Sequence, residues 1–212
     1  MCSKYQVTKP RFSAAETVAS ISNPLIYSFS PCSGEGESVR VLLAFMSHPY
    51  SEQIRPGSAL LEPSLVDGDL VLHGTLACLL HLGKTFQIEP RTAYAREAVE
   101  HSCALLCDAW QGVREAFYWC ERQAVAQFYS QTLPLLLVAL DRDVAAWGES
   151  LTVGDFLVLT FVENLFARKE GAAHSGVLER YSPAVKRRCE ALVATHTELT
   201  KYFSTRDFRL FL

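Results

Sequence analysis

The chain has 212 residues, with 20 Lys and Arg against 23 Asp and Glu, a hydrophobic fraction of 49% and a net charge of −3. Such a composition folds, and at roughly 100–200 residues per domain it supplies one domain or two small ones. The charge balance gives no field for a phosphate backbone, so nucleic acid is not an expected partner. The longest apolar run, Leu133 to Leu140, contains Pro134 and is far shorter than the roughly 20 residues of a spanning helix, so no membrane insertion is expected.

Seven cysteines, at positions 2, 32, 78, 103, 107, 120 and 189, read as reduced thiols in a cytoplasmic protein. Residues 1–23 lack the apolar core of a secretory signal and read as an extension. A strand is predicted from Leu25 to Phe29, ending in the turn-rich run Ser30-Pro31-Cys32-Ser33-Gly34-Glu35-Gly36. Val39, Leu42, Leu43 and Met46 then share one helix face, closed by His48-Pro49. Residues 50–60 read as polar and irregular, and 64–72 as a hairpin around Asp67-Gly68-Asp69.

Leu76, Leu79, Leu80 and Leu82 predict a short helix that begins with Thr75 as N-cap and stops at Gly83. After a linker at 84–90, every long segment has helical period. Val99, Cys103, Leu106, Cys107, Trp110 and Phe117 form one face, and residues 122–140 another helix, interrupted at Pro134. In Leu151-Thr152-Val153-Gly154-Asp155-Phe156, Thr152 is the expected N-cap, with Asp155 reaching back to it. Lys186, Arg187 and Arg188 read as a solvated turn. No Cys-x-x-Cys occurs, and His101 with Cys103 and Cys107 lacks the spacing of a metal site, so no metal is expected.

This order, a small βα, hairpin and helix unit followed by helices, resembles the glutathione S-transferases. Gly34-Glu35-Gly36-Glu37-Ser38-Val39-Arg40 is similar to the Gly-x-Ala-Glu-x-x-Arg start of the first helix in sigma-type members. Pro63 stands twelve residues before Thr75, as the family's cis-proline stands before its Gln-Ser-x-Ala-Ile turn. Here that turn is Gly74-Thr75-Leu76-Ala77-Cys78. Thr152 to Asp155 resembles the family's capping box, and Tyr181-Ser182-Pro183 its late Tyr/His-Pro segment.

The resemblance implies an α/β thioredoxin-like N-terminal domain (24–83), the linker, and an all-α C-terminal domain (91–212). It implies a homodimer that uses glutathione as substrate and attacks a hydrophobic electrophile with its thiolate. Thr75 and Gly74 would take the γ-glutamyl carboxylate, the backbone at Glu62 and Pro63 the cysteinyl part, and Arg55 the glycyl end. An activating donor is needed because a free thiol ionises near pH 8.5. Tyr27 is the expected donor, with Ser30 and Cys32 as alternatives and no donor as a third outcome. Tyr94 and Trp110 are expected to line the electrophile pocket. Two departures favour a different class, a non-catalytic interaction module with the same fold. Phe29 stands where ungapped counting from Arg40 sets the family tyrosine, and the twelve residues between Tyr50 and Pro63 contain no Trp or Lys.

Overall fold

A four-stranded sheet carries the N-terminal region. The computed structural model describes residues 25–29, 34–54, 63–118, 122–166 and 174–205. The strands β1 (Leu25–Phe29), β2 (Tyr50–Ile54), β3 (Ser64–Asp67) and β4 (Leu70–His73) lie in the order β2-β1-β3-β4. β1 runs parallel to β2, with Tyr27 opposite Glu52, and antiparallel to β3, with Tyr27 opposite Leu65. The β3–β4 hairpin turns at Gly68, whose φ of 60° suits the residue without a Cβ.

β2 was expected to be irregular. It is a strand on the open edge of the sheet, and Ser51 to Ile54 are all exposed. A strand with no buried face has no reason to alternate apolar and polar residues, which removes the usual sequence signal. Helix α1 (Glu37–Met46) follows β1 as predicted and buries Val39, Val41, Leu42, Leu43 and Phe45. Its stop is Ser47, whose left-handed backbone at φ 52° donates to Ala44 while His48 donates to Leu43.

Helix α2 (Thr75–Thr85) begins one residue earlier than expected, because Gly74 occupies the N-cap and Thr75 is the first helical residue. It also runs through Gly83. A Cβ there would lie 2.6 Å from Cγ1 of Val153, so this glycine lets two helices approach and does not end one. The helical region continues with α3 (Ala93–Tyr118), α4 (Arg122–Gln127), a π-helical turn (Phe128–Thr132), α5 (Leu133–Ala146), α6 (Val153–Phe166), α7 (Ser175–Tyr181), α8 (Pro183–Thr195) and α9 (Thr197–Thr205). The π turn lies just ahead of Pro134, which has no N–H to extend the regular ladder.

Helix α6 is the hub of the core, buried from Val153 through Val162 on every face, as an element apolar all round must be. Its first turn contains the expected capping box. Oδ2 of Asp155 accepts from the Thr152 N–H at 2.7 Å and from its hydroxyl at 3.0 Å. Arg188 completes this corner and corrects the expectation of a solvated turn. It is buried, pairs through Nε and Nη2 with Asp155, donates to the carbonyls of Gly148 and Ser150 at 2.7 Å, and lies 5.2 Å from the Trp147 ring. Asp141 on α5 plays a similar part for α8, accepting from the Ala184 N–H at 2.6 Å.

Candidate functional site

The start of α2 carries the chemistry that the sequence singled out. Gly74 has φ 88° and ψ 143°, a backbone open to glycine and strained for the glutamine that the resemblance would set there. Its N–H donates to the Pro63 carbonyl at 2.8 Å, and its carbonyl accepts from Cys78 at 3.1 Å. The amides of Thr75, Leu76 and Ala77 have no intrahelical acceptor. Thr75 is buried, and its hydroxyl is among the buried polar atoms that lack a hydrogen-bond partner. An unmade bond of this kind costs about 1–3 kcal/mol. The helix N-terminus and the idle hydroxyl together favour an anionic group with oxygens to accept those protons.

Pro63 also meets the turn into α1. A Cβ built on Gly36 would stand 3.3 Å from Cβ and Cγ of Pro63 and 2.8 Å from the Tyr27 hydroxyl. Pro63, Gly36, Gly74, Thr75 and Tyr27 therefore form one corner at the sheet's end. No cis peptide bond occurs among the described residues, and the bond from Glu62 to Pro63 involves a residue outside them. Ser30, Cys32, Arg55 and Glu62 also lie outside the described residues.

Tyr27 has a different environment from that of a thiol activator. It is 0% exposed, and its hydroxyl donates its single proton to the Gly36 carbonyl at 2.7 Å. Burial pushes its pKa well above the ordinary value, with Cys78 and Glu37 adding to the shift. In this arrangement the hydroxyl holds the turn after β1 and has no proton left for a sulfur. Phe29 stacks on Tyr27 at 5.5 Å and lies 4.6 Å beneath the Arg40 guanidinium, so it has no donor and is fully used in packing.

Sequence reasoning missed a polar cluster beside this corner. Arg40 Nη1 donates to Glu37 at 2.8 Å and its Nε to Glu52 at 3.0 Å, while the Tyr50 hydroxyl donates to Glu52 at 2.6 Å. Tyr202, on the last described helix, donates to the other Glu37 oxygen at 2.5 Å. The Glu37 and Arg40 spacing of i, i+3 was a local signal for half of this cluster. Tyr202 gave none.

Tyr94 and Trp110 do not line a common pocket. They are sixteen positions apart on α3, about 24 Å along the axis at 1.5 Å per residue. Tyr94 is 69% exposed, whereas Trp110 is 1% exposed and packs edge-on against Phe161 in the core. On α3, Arg114 reaches the turn after β1. Arg114 Nη1 is 3.6 Å from Oε1 of Glu35. The half-buried Cys107 thiol is pushed up to about 11 by burial first and then by Glu35 and Asp108, with Arg114 opposing.

His101 pairs through Nδ1 with Asp143 at 2.6 Å, and Ser102 also donates to that carboxylate at 3.2 Å. Among the described residues no three His, Cys, Asp or Glu side chains are grouped to hold a metal ion. Nor is any described helix long and apolar enough to cross a membrane.

No family model and no curated protein matches the sequence. Solved structures do match it in three dimensions. A Pi-class glutathione S-transferase of Onchocerca volvulus superposes with a TM-score of 0.72 at 15% identity, covering 87% of this chain and 94% of that one. Prostaglandin synthase D of Nilaparvata lugens gives 0.70 at 13%, over 87% and 99%. A sigma class transferase of Fasciola hepatica gives 0.69 at 16%, over 87% and 97%. At 13–16% identity the likeness is one of architecture, and the chain has the fold of the glutathione S-transferases.

Proposed function

We propose that the corner formed by Pro63, Gly74 and Thr75 binds glutathione, and that the protein transfers its thiolate to an electrophilic carbon. The observation that carries this reading is the buried, unpartnered Thr75 hydroxyl at the N-terminus of α2. A γ-glutamyl carboxylate would accept from that hydroxyl and from the free amides of the first turn, gaining the helix dipole as well. Gly36, with no side chain, lets Pro63 and the Tyr27 hydroxyl close against the turn and so fixes the place of Pro63. Arg55 is the cation for the glycyl carboxylate, and the backbone at Glu62 and Pro63 the partner for the cysteinyl unit. With the Tyr27 proton given to Gly36, Ser30 and Cys32 are the candidates for the thiolate donor. Leu70 and Val71 on the β4 edge and Leu80 on α2 are exposed apolar side chains that a two-fold dimer would cover. A cytoplasmic setting, where glutathione is abundant and thiols stay reduced, belongs to the same reading.

A second reading draws on the same Tyr27 to Gly36 bond. Without an activating donor the fold serves as a non-catalytic module that binds other proteins. Calorimetric titration with glutathione to about 10 mM separates the two, together with conjugation of chloro-dinitrobenzene. Thr75→Val keeps the shape and removes the hydroxyl. It is expected to weaken binding about tenfold or more while the melting temperature holds or rises. Unchanged affinity would remove Thr75 from the site. No heat of binding to the wild-type protein would leave the interaction module as the function.

A further inference from the structure

We infer that Arg114 selects an electrophile that carries a carboxylate. The inference rests on the glutathione reading of the Thr75 corner and names the second substrate of that same site. A chain of contacts leads from one to the other. Gly74 donates to Pro63, Pro63 lies against Gly36, and Glu35, the next residue back, reaches Arg114. The described α3 side chain shown to meet this turn is therefore a cation. Cys107 and Arg114 are seven positions apart, two helical turns, and share one face. Of the described aromatic side chains on α3, Trp110 is in the core and Tyr94 on the outer surface, so neither of these two makes an apolar pocket beside Arg114.

The Arg114 guanidinium is suited to a ligand. Its side chain is 50% exposed, and its single ion contact, at 3.6 Å, is longer than a hydrogen bond. Among the described residues it makes no hydrogen bond, so its planar fork of donors is available. That fork matches a carboxylate with two parallel bonds, which a lysine could not do. The class that fits is an α,β-unsaturated acid. Sulfur bonds to the β-carbon, the π pair moves to the α-carbon, and that carbon takes a proton from water to replace the one the thiol released. Nothing leaves and no oxidant is needed. Arg114 would hold the acid end while the thiolate approaches the other.

The test compares two conjugates of matched length, S-propylglutathione and S-(2-carboxyethyl)glutathione, the latter with its carboxylate two carbons from sulfur as in the proposed product, by calorimetry at low ionic strength. The wild-type protein is expected to prefer the carboxylate conjugate about tenfold, within the reach of one charge-assisted contact. Arg114→Gln should abolish the preference while affinity for glutathione and the propyl conjugate stays within about twofold. Arg114→Lys should retain part of it. Equal wild-type affinities, or a preference that survives Arg114→Gln, would overturn the inference and leave glutathione binding intact. If glutathione itself fails to bind, both readings fall together, a different and recognisable result.

Discussion

Replacing Tyr27 by Phe asks which of two jobs the hydroxyl performs. In the structure it donates to the Gly36 carbonyl at 2.7 Å inside a fully buried corner. Removing it forfeits a bond worth about 1 kcal/mol and leaves a carbonyl without its donor, for a total near 2 kcal/mol. For a chain of this length that lowers Tm by roughly 4–8 °C. The assay pairs thermal unfolding with the pH profile of glutathione conjugation. A hydroxyl that holds the turn gives the Tm loss, with the apparent thiol pKa in the complex unmoved. A hydroxyl that stabilises the thiolate gives the opposite, since losing about 1.5–3 kcal/mol of charge-assisted bonding raises the thiol pKa by roughly 1–2 units. An unchanged Tm with such a pKa rise would refute the assignment made from Gly36.

Arg188→Met is expected to cost about 3–5 kcal/mol, because it strands Asp155 as a buried carboxylate next to the α6 cap. Urea unfolding measures the loss, and a cost below about 1 kcal/mol would mean that the network is dispensable. The thiols predict a loss of stability in alkali. Burial pushes Cys78 and Cys107 up to about 11 and Cys103 up to about 12, from an ordinary value of 9.0. The unfolded chain therefore releases these protons first. Stability should be full below pH 9.0 and fall through about 11 to 12, and urea midpoints that hold level to pH 10.5 would contradict it.

The parts of this fold that could be read in advance are those whose signals are local. The Asp-Gly-Asp turn, the apolar stripe of α1 and the Thr152 to Asp155 box each sit within a few residues of their own cause. Thr75 was legible for the same reason, although its place as first helical residue and not cap depends on the positive φ of Gly74. What escaped is set by distant partners. Gly83 looks like a helix stop until Val153 is seen against it. Arg188 looks like a surface charge until Asp155, 33 positions away, is brought beneath it. β2 owes its strand conformation to the ladder with β1, which its polar sequence does not advertise. The function of Tyr27 turned on one carbonyl, nine residues ahead, whose position no pattern specifies.

The bond between Tyr202 and Glu37 spans 165 residues of sequence. Contacts of that separation add the largest loop-closure entropy and come late in folding. During synthesis α1 therefore emerges before the partner of its acidic first turn, and the Tyr202 to Glu37 bond can form only after nearly the whole helical region has left the ribosome. The two ends of the described structure thus share one late, cooperative step. Damage to the last helix would be felt first at the opposite end of the chain.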